Sequence, residues 1–202
     1  LLKPGGAIVE ASSGNQGISL AMIGAVKGYN VVITAPEKIS KEKLRAMKAY
    51  GAKVVLCPST KFIEDPKSYH SKAVELSRKI KGSFMPNQYY SLSNPRAHYE
   101  SLGPEIWGQT NGKITHFFAA AGTGGTVSGA GKYLKEKNPN VKIIAVDCAT
   151  SFHATNGHPK PYKLEGIGLD FETPCFDESV IDDIVAVTDN QAIRMMREMA
   201  CR

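Results

Sequence analysis

Short runs of β-branched and aliphatic residues alternate along this chain with stretches whose apolar positions recur every three or four residues. Ala7-Ile8-Val9-Glu10 reads as a strand, and Gly17 to Lys27 as a helix with small residues on one side, stopped by Gly28 where a glycine caps cheaply. Val31-Val32-Ile33-Thr34 is the next strand, closed by Pro36. A helix from about Ser40 to Tyr50 follows, with Ser40 as N-cap and Gly51 as stop; Val54-Val55-Leu56 is a buried-type strand, and a helical stretch after Pro66 runs to about Ile80. The second half repeats this grammar. A helix starts near Asn94-Pro95, where proline suits the first helical position. Thr115 to Ala120 is a strand, Gly124 to Lys135 a helix, Val141 to Val146 and Ile184 to Val187 strands, and Asp189 to Met199 a last helix.

Such alternation predicts an α/β fold of mostly parallel sheets covered by helices. The least patterned stretch, about Ala149 to Lys163, reads as a surface loop, and Trp107 with the Phe117-Phe118 pair reads as core. A length of 202 residues suffices for one sizeable core or two small lobes, and the pattern divides near Leu92, into 1–92 and 93–202.

Composition narrows the picture modestly. Hydrophobic residues make up 42% and charged residues 22%, the balance of an ordinary water-facing globular chain, and no apolar run approaches the roughly 20 residues of a membrane helix. No targeting signal is read at Leu1-Leu2-Lys3-Pro4-Gly5-Gly6. The net charge of +6 comes from lysines scattered over patterned segments, as in Lys41-Glu42-Lys43, which argues for solvated helix faces rather than a nucleic-acid surface. The four cysteines lie far apart without a CxxC, so neither a zinc site nor a disulfide framework is expected.

Two glycine-rich strand-to-helix turns hold the candidate chemistry: Ser12-Ser13-Gly14-Asn15-Gln16-Gly17 after the Ile8-Val9 strand, and Gly122-Thr123-Gly124-Gly125-Thr126 after the Phe117–Ala120 strand. Glycines let the backbone approach a ligand, the helix N-terminus offers unpaired N–H groups, and Ser or Thr hydroxyls add donors, which together suit an anion. Either turn alone could need glycine for backbone reasons only; two such turns in matching positions point to a ligand. A Walker A loop would end in Gly-Lys-Ser/Thr, which is absent, and Val127 stands where a dinucleotide fingerprint counted from Gly122 needs its third glycine.

The chain resembles the cysteine synthase and cystathionine β-synthase family of fold type II pyridoxal-phosphate enzymes. Glu10-Ala11-Ser12-Ser13-Gly14-Asn15-Gln16-Gly17 is similar to the family's asparagine loop, and Gly122 to Thr126 to its phosphate cup. Lys27-Gly28-Tyr29, Pro36-Glu37-Lys38-Ile39-Ser40, Gly51-Ala52, Gln88-Tyr89, Asn94-Pro95, Gly103-Pro104-Glu105-Ile106-Trp107 and Glu165-Gly166-Ile167-Gly168 follow in the family's order. The resemblance implies two three-layer lobes of the tryptophan synthase β type, with Asn15 and Gly124 facing each other across a cofactor cleft. It implies pyridoxal 5′-phosphate as cofactor, with Asn15 on its 3′-oxygen, Gly122, Thr123, Gly124, Gly125 and Thr126 on its phosphate, and Gly166 lining its other side. Ser12, Ser13, Gly14, Gln16 and Gln88 would hold the carboxylate of an amino-acid substrate.

The family's cofactor-binding lysine lies in a Ser-x-Lys-Asp-Arg-type motif upstream of the segment matching Leu1 to Gly5, and its pyridine-nitrogen serine lies in a Gly-x-Ser-Ser-Gly stretch just beyond the final helix. The chain as given is therefore expected to hold no catalytic residue; Lys3 matches a surface lysine of the family. The implied reaction of the intact protein is β-replacement on serine or an O-activated serine. Asn94-Pro95-Arg96-Ala97-His98-Tyr99 and Glu165 to Phe171 resemble the cystathionine β-synthase branch, whereas Leu169 replaces its usual tyrosine and Gly103 to Trp107 resembles cysteine synthases. Cystathionine synthesis is placed first and cysteine synthesis second; a non-catalytic cofactor or peptide binder is the alternative of another class. A cytoplasmic homodimer is expected, with the C-terminal tail of serine acetyltransferase as a conceivable partner and neither nucleic acid nor membrane. His98, beside a proline-started helix, reads as structural or surface.

Overall fold

A computed structural model describes residues 2–60 and 63–202. The chain divides into two compact units, Leu1–Gln88 and Tyr89–Arg202, each built on a three-stranded parallel sheet.

In the first unit β1 (Ala7–Ala11), β2 (Asn30–Pro36) and β3 (Lys53–Cys57) lie side by side in that order, with Ala7 opposite Asn30 and Val32 opposite Lys53. Their connections are α1 (Asn15–Lys27) and α2 (Lys41–Ala49), and α3 (Tyr69–Lys79) follows β3. Phe84 extends the sheet by one bridge beyond β1, exchanging backbone bonds of 2.9 Å with Ala7 and Val9. Ile8, Ala21, Val31, Ile33, Met47 and Ala52 form the core. α1 settles on the sheet through Gly17, Ala21 and Gly24, a small residue at each turn. A Cβ on Gly24 would lie 2.2 Å from Val31 Cγ2, closer than any packed side chain allows. Gly28, left-handed at φ 70°, ends the helix as its glycine predicts.

The second unit repeats the plan with β4 (His116–Ala120), β5 (Lys142–Cys148) and β6 (Asp183–Val187), again parallel and in chain order. Its helices are α4 (Ser93–Glu100), α5 (Leu102–Gln109), α6 (Gly125–Lys137) and α7 (Asp189–Ala200), the last opened by a capping box of Thr188 and Gln191. The core gathers Val127 and Leu134 of α6 with Val141, Ile143, Ala145, Phe176 and Val180.

Pro36 does close β2, as its last residue, and because β1 ends opposite Thr34 it has no neighbour on that side to miss its N–H. Other sequence expectations need correction. Pro95 is the third residue of α4, still in the first turn where a missing N–H costs nothing. α5 escaped the sequence reading because Gly103 and Pro104 at its start disguise it. Phe117 packs against the core with Trp107, but Phe118, on the opposite face of β4, is 60% exposed. The stretch Ala149 to Lys163 is anchored as well as looped: Ser151 is fully buried and bonds Asp147 Oδ2 at 2.5 Å. No helix among the described residues is long and apolar enough to cross a membrane.

The Gly24 contact gives a direct test. Gly24→Ala in the intact protein should destabilise it by about 1–3 kcal/mol through overpacking, even though alanine is the better helix former by about 1 kcal/mol. Val26→Ala, at a position 82% exposed, should stay within about 0.5 kcal/mol. Urea unfolding of both variants decides whether close packing outweighs propensity here.

Candidate functional site

The first turn leaves β1 at Ala11 and enters α1 at Asn15. Ser12 is buried beneath it; its N–H donates to Thr34 at 3.0 Å, and its hydroxyl oxygen accepts from Gly14 N at 3.2 Å and Gly17 N at 2.9 Å. These bonds close the first helical turn and start α1 two residues before the expected Gly17. Ser13 and Asn15 are exposed at the tip and Gln16 is half-buried. The N–H groups of Asn15 and Gln16, at the first two helical positions, have no intrahelical acceptor. Lys43 of α2 lies across Gly14: a Cβ there would meet its Cδ at 2.7 Å and its Nζ at 3.2 Å. A cation thus borders the positive end of α1, which favours an anion. Gln88 reaches the same turn, its Nε2 donating to the Ala11 carbonyl at 2.8 Å.

Below this turn Glu10 is fully buried. Its Oε1 accepts from Ala11 N at 2.9 Å, while Oε2 has no hydrogen-bond partner. Burial pushes its carboxyl up from 4.5 to about 7, and the backbone N–H groups of Ala11, Asn87 and Gln88 hold back the rise. Those of Asn87 and Gln88 therefore lie near the carboxyl, although Oε2 forms no bond of normal geometry. His70 Nε2 lies 3.3 Å from Asn87 Oδ1, and burial lowers the His70 pKa.

The second turn lies within the other unit, between β4 and α6. Gly124 is left-handed at φ 85°, and Phe176 packs so closely that a Cβ on Gly124 would meet its Cβ at 2.6 Å. Gly122 is backed by the Gly166 carbonyl, 2.9 Å from where its Cβ would stand. The Gly168 N–H donates to Ala121 at 2.7 Å, so the Glu165–Gly168 segment is docked on this turn. Thr123 Oγ1 accepts from Asn94 Nδ2 at 2.8 Å and from Gly125 N at 3.4 Å. Thr126 Oγ1 lies 3.2 Å from His98 Nε2, and burial lowers the His98 pKa. Gly122, Thr123 and Thr126 are half-buried, whereas Gly124 and Gly125 are buried.

Comparison with known proteins decides the family. The description "pyridoxal-phosphate dependent enzyme" matches residues 2–202. The chain belongs to this family. Over 201 residues it is 43% identical to a cystathionine beta-synthase of Apis mellifera, covering 98% of this chain and 40% of that protein. Over 200 residues it is 42% identical to a cysteine synthase of Staphylococcus aureus, covering 98% of this chain and 63% of that protein. An O-acetylserine dependent cystathionine beta-synthase from Helicobacter pylori superposes with a TM-score of 0.88 at 34% identity, covering 96% of this chain and 62% of that one. The chain thus spans between two fifths and two thirds of these relatives. Their fold, type II of the pyridoxal-phosphate enzymes, is that of this chain.

The second turn fits the phosphate of such a cofactor. Phe176, Asn94 and the Gly166 carbonyl crowd its glycines, so no side chain can replace them without displacing a neighbour. The Thr126 and Val127 N–H groups, early in α6, have no intrahelical acceptor, and two hydroxyls flank them.

Each unit therefore brings its own candidates together: Ser12, Ser13, Gly14, Asn15, Gln16 and Gln88 in one, and Gly122 to Thr126 with Gly166 in the other. The sequence reading missed the supports. Asn94 and His98 stand four residues apart on one face of α4, a helical spacing visible in the sequence, but only the fold shows that this face meets the two threonines. Glu10 was visible as an acidic residue in an apolar strand.

Two outcomes are expected. Gly125→Ala would put a Cβ 2.0 Å from Asn94 Oδ1, displacing Asn94 from Thr123, and should lower affinity for pyridoxal phosphate at least tenfold by absorbance titration of the intact protein. Glu10 gives a pH signature. The fold prefers its neutral form, so its contribution to stability is full below pH 4.5 and is lost as pH rises through about 7. Glu10→Gln removes that titration, so the stability difference between variant and wild type should shift in favour of the variant across this window, as followed by urea midpoints.

Proposed function

We propose that the intact protein catalyses pyridoxal-phosphate-dependent β-replacement, joining serine and homocysteine to give cystathionine and water. The Cβ–O bond of serine breaks, a Cβ–S bond forms, and the hydroxyl leaves with the thiol proton. The observation that carries this reading is the pair of donor-lined turns, each at the C-terminal end of a parallel strand and the N-terminus of a helix.

Pyridoxal phosphate supplies, when bound, an acceptor for the electron pair left at the substrate Cα. This chain supplies binding and orientation. Thr123, Thr126 and the first N–H groups of α6 hold the phosphate; Gly166 borders that site. The N–H groups of Ser13, Asn15 and Gln16 together with Gln88 hold the substrate carboxylate on the backbone that Ser12 and Gly14 shape, and Asn15 is assigned to the cofactor's 3′-oxygen. Lys43 strengthens the pull on the anion. The base for the α-proton is assigned to a lysine of the intact protein outside this chain.

Cysteine synthesis from O-acetylserine and sulfide is the second reading, favoured by the near-equal identity to the Staphylococcus aureus cysteine synthase. A homodimer, a cytoplasmic location and docking of a serine acetyltransferase tail accord with either reading.

Assay of the intact protein with serine plus homocysteine and with O-acetylserine plus sulfide separates the two. Faster turnover of the first pair supports the cystathionine reading, and exclusive turnover of the second overturns it. Thr123→Ala/Thr126→Ala should lower cofactor occupancy, because each lost charge-assisted bond is worth about 1.5–3 kcal/mol; unchanged affinity would place the phosphate elsewhere. The 202-residue chain alone should bind cofactor weakly without turnover. Borohydride reduction labelling one of its lysines stoichiometrically, together with turnover, would make that lysine the catalyst.

A further inference from the structure

We propose that Glu10 is a positioning residue: its buried carboxyl joins the Ser12–Gln16 turn and Gln88 into a single carboxylate-holding unit. This rests on the assignment of those groups to the substrate carboxylate.

The connection is a pair of hydrogen bonds that meet on the Ala11 peptide. On one side the Ala11 N–H donates to Glu10 Oε1 at 2.9 Å; on the other the Ala11 carbonyl accepts from Gln88 Nε2 at 2.8 Å. The Asn87 and Gln88 N–H groups act on the Glu10 carboxyl electrostatically, drawing its pKa down against burial, without a hydrogen bond to Oε2. Segments 77 residues apart in sequence thereby meet on one peptide, and the next residue is Ser12, whose hydroxyl shapes the turn. Asn87 sits at φ 56°, in the left-handed region that asparagine tolerates better than most residues.

Packing alone does not account for a carboxyl here. Glu10 is fully buried among the apolar neighbours of β1, has no cationic partner among the described residues, and leaves Oε2 without a hydrogen bond. A buried polar atom left unpaired is costly, and an apolar side chain would fill the space without that cost. A carboxyl holds the Ala11 N–H on one oxygen and keeps at the same junction a group whose charge the Asn87 and Gln88 N–H groups favour. Glutamine can satisfy Ala11 but presents an amide donor toward Asn87 and Gln88, so it separates the two functions while preserving shape.

The test uses the intact, cofactor-loaded protein with Glu10→Gln and Glu10→Ala. L-serine binding is titrated by cofactor absorbance beside ethanolamine, which lacks the carboxylate, and amide hydrogen exchange is followed without substrate. Glu10→Gln should weaken L-serine about tenfold and leave ethanolamine and cofactor retention unchanged. It should speed exchange at residues 13–17 and 87–88 at least tenfold, while α2 and β3 keep their protection. L-serine affinity within twofold of wild type, with unchanged exchange at both segments, overturns the proposal. Should Glu10→Ala fail to fold, the glutamine variant decides. A wild-type protein that does not distinguish L-serine from ethanolamine would overturn the carboxylate assignment itself, and the exchange data would then decide whether Glu10 still joins the two segments.

Discussion

How closely α4 can approach α6 governs the second turn. A Cβ on Gly129 would lie 2.0 Å from the Pro95 carbonyl and 3.0 Å from His98 Cβ, and one on Gly125 would strike Asn94. Glycine at these two positions, one helical turn apart, brings the α4 backbone into direct contact with α6. Only then can Asn94 and His98 reach Thr123 and Thr126. The same helix presses Gly131 against Ile143 and Val180 on its sheet side, so α6 is gripped from two directions and its N-terminus cannot drift. The donors at the turn are thus fixed before any ligand arrives, which is where a site of this kind derives its strength.

The first unit reaches the same end with different residues. α1 lies on its sheet through Gly17, Ala21 and Gly24, and Ser12 caps it from below. In both units the parallel sheet sets the direction of chain travel, so each turn falls at the strand's C-terminal end and opens a helix whose positive pole faces outward. Helix packing, not the local conformation of the turn, decides how precisely those poles are aimed.

This division explains what could be read from the sequence. Strand and helix alternation, the Gly28 stop, the Ser40 cap and both glycine-rich turns are local signals, and the six strands among the described residues stand where the β-branched runs place them. α5 and the exposure of Phe118 were not legible: the first begins with residues that usually break helices, and the second depends on which face of β4 the core occupies. Likewise Asn94, His98 and Glu10 act through partners 29, 28 and 77 or more residues away, and no local pattern encodes such pairings. His98, read from sequence as structural or surface, does have a structural task, but at the site: it holds Thr126.

The hydroxyls carry the argument one step further. A hydroxyl has two acceptor lone pairs and one donor proton. Ser12 Oγ uses both lone pairs on Gly14 N and Gly17 N. Thr123 Oγ1 uses both on Asn94 Nδ2 and Gly125 N. Each is left with only a proton to give, and the backbone groups around them are N–H donors as well. A ligand that itself needs to donate finds no free lone pair on either hydroxyl, while an acceptor oxygen meets the N–H groups of Asn15, Gln16, Thr126 and Val127, which have no intrahelical acceptor. The supports behind the turns therefore act on selectivity as well as on rigidity: by occupying the lone pairs from behind, they turn amphoteric serine and threonine side chains into donors alone and tune both turns for anions.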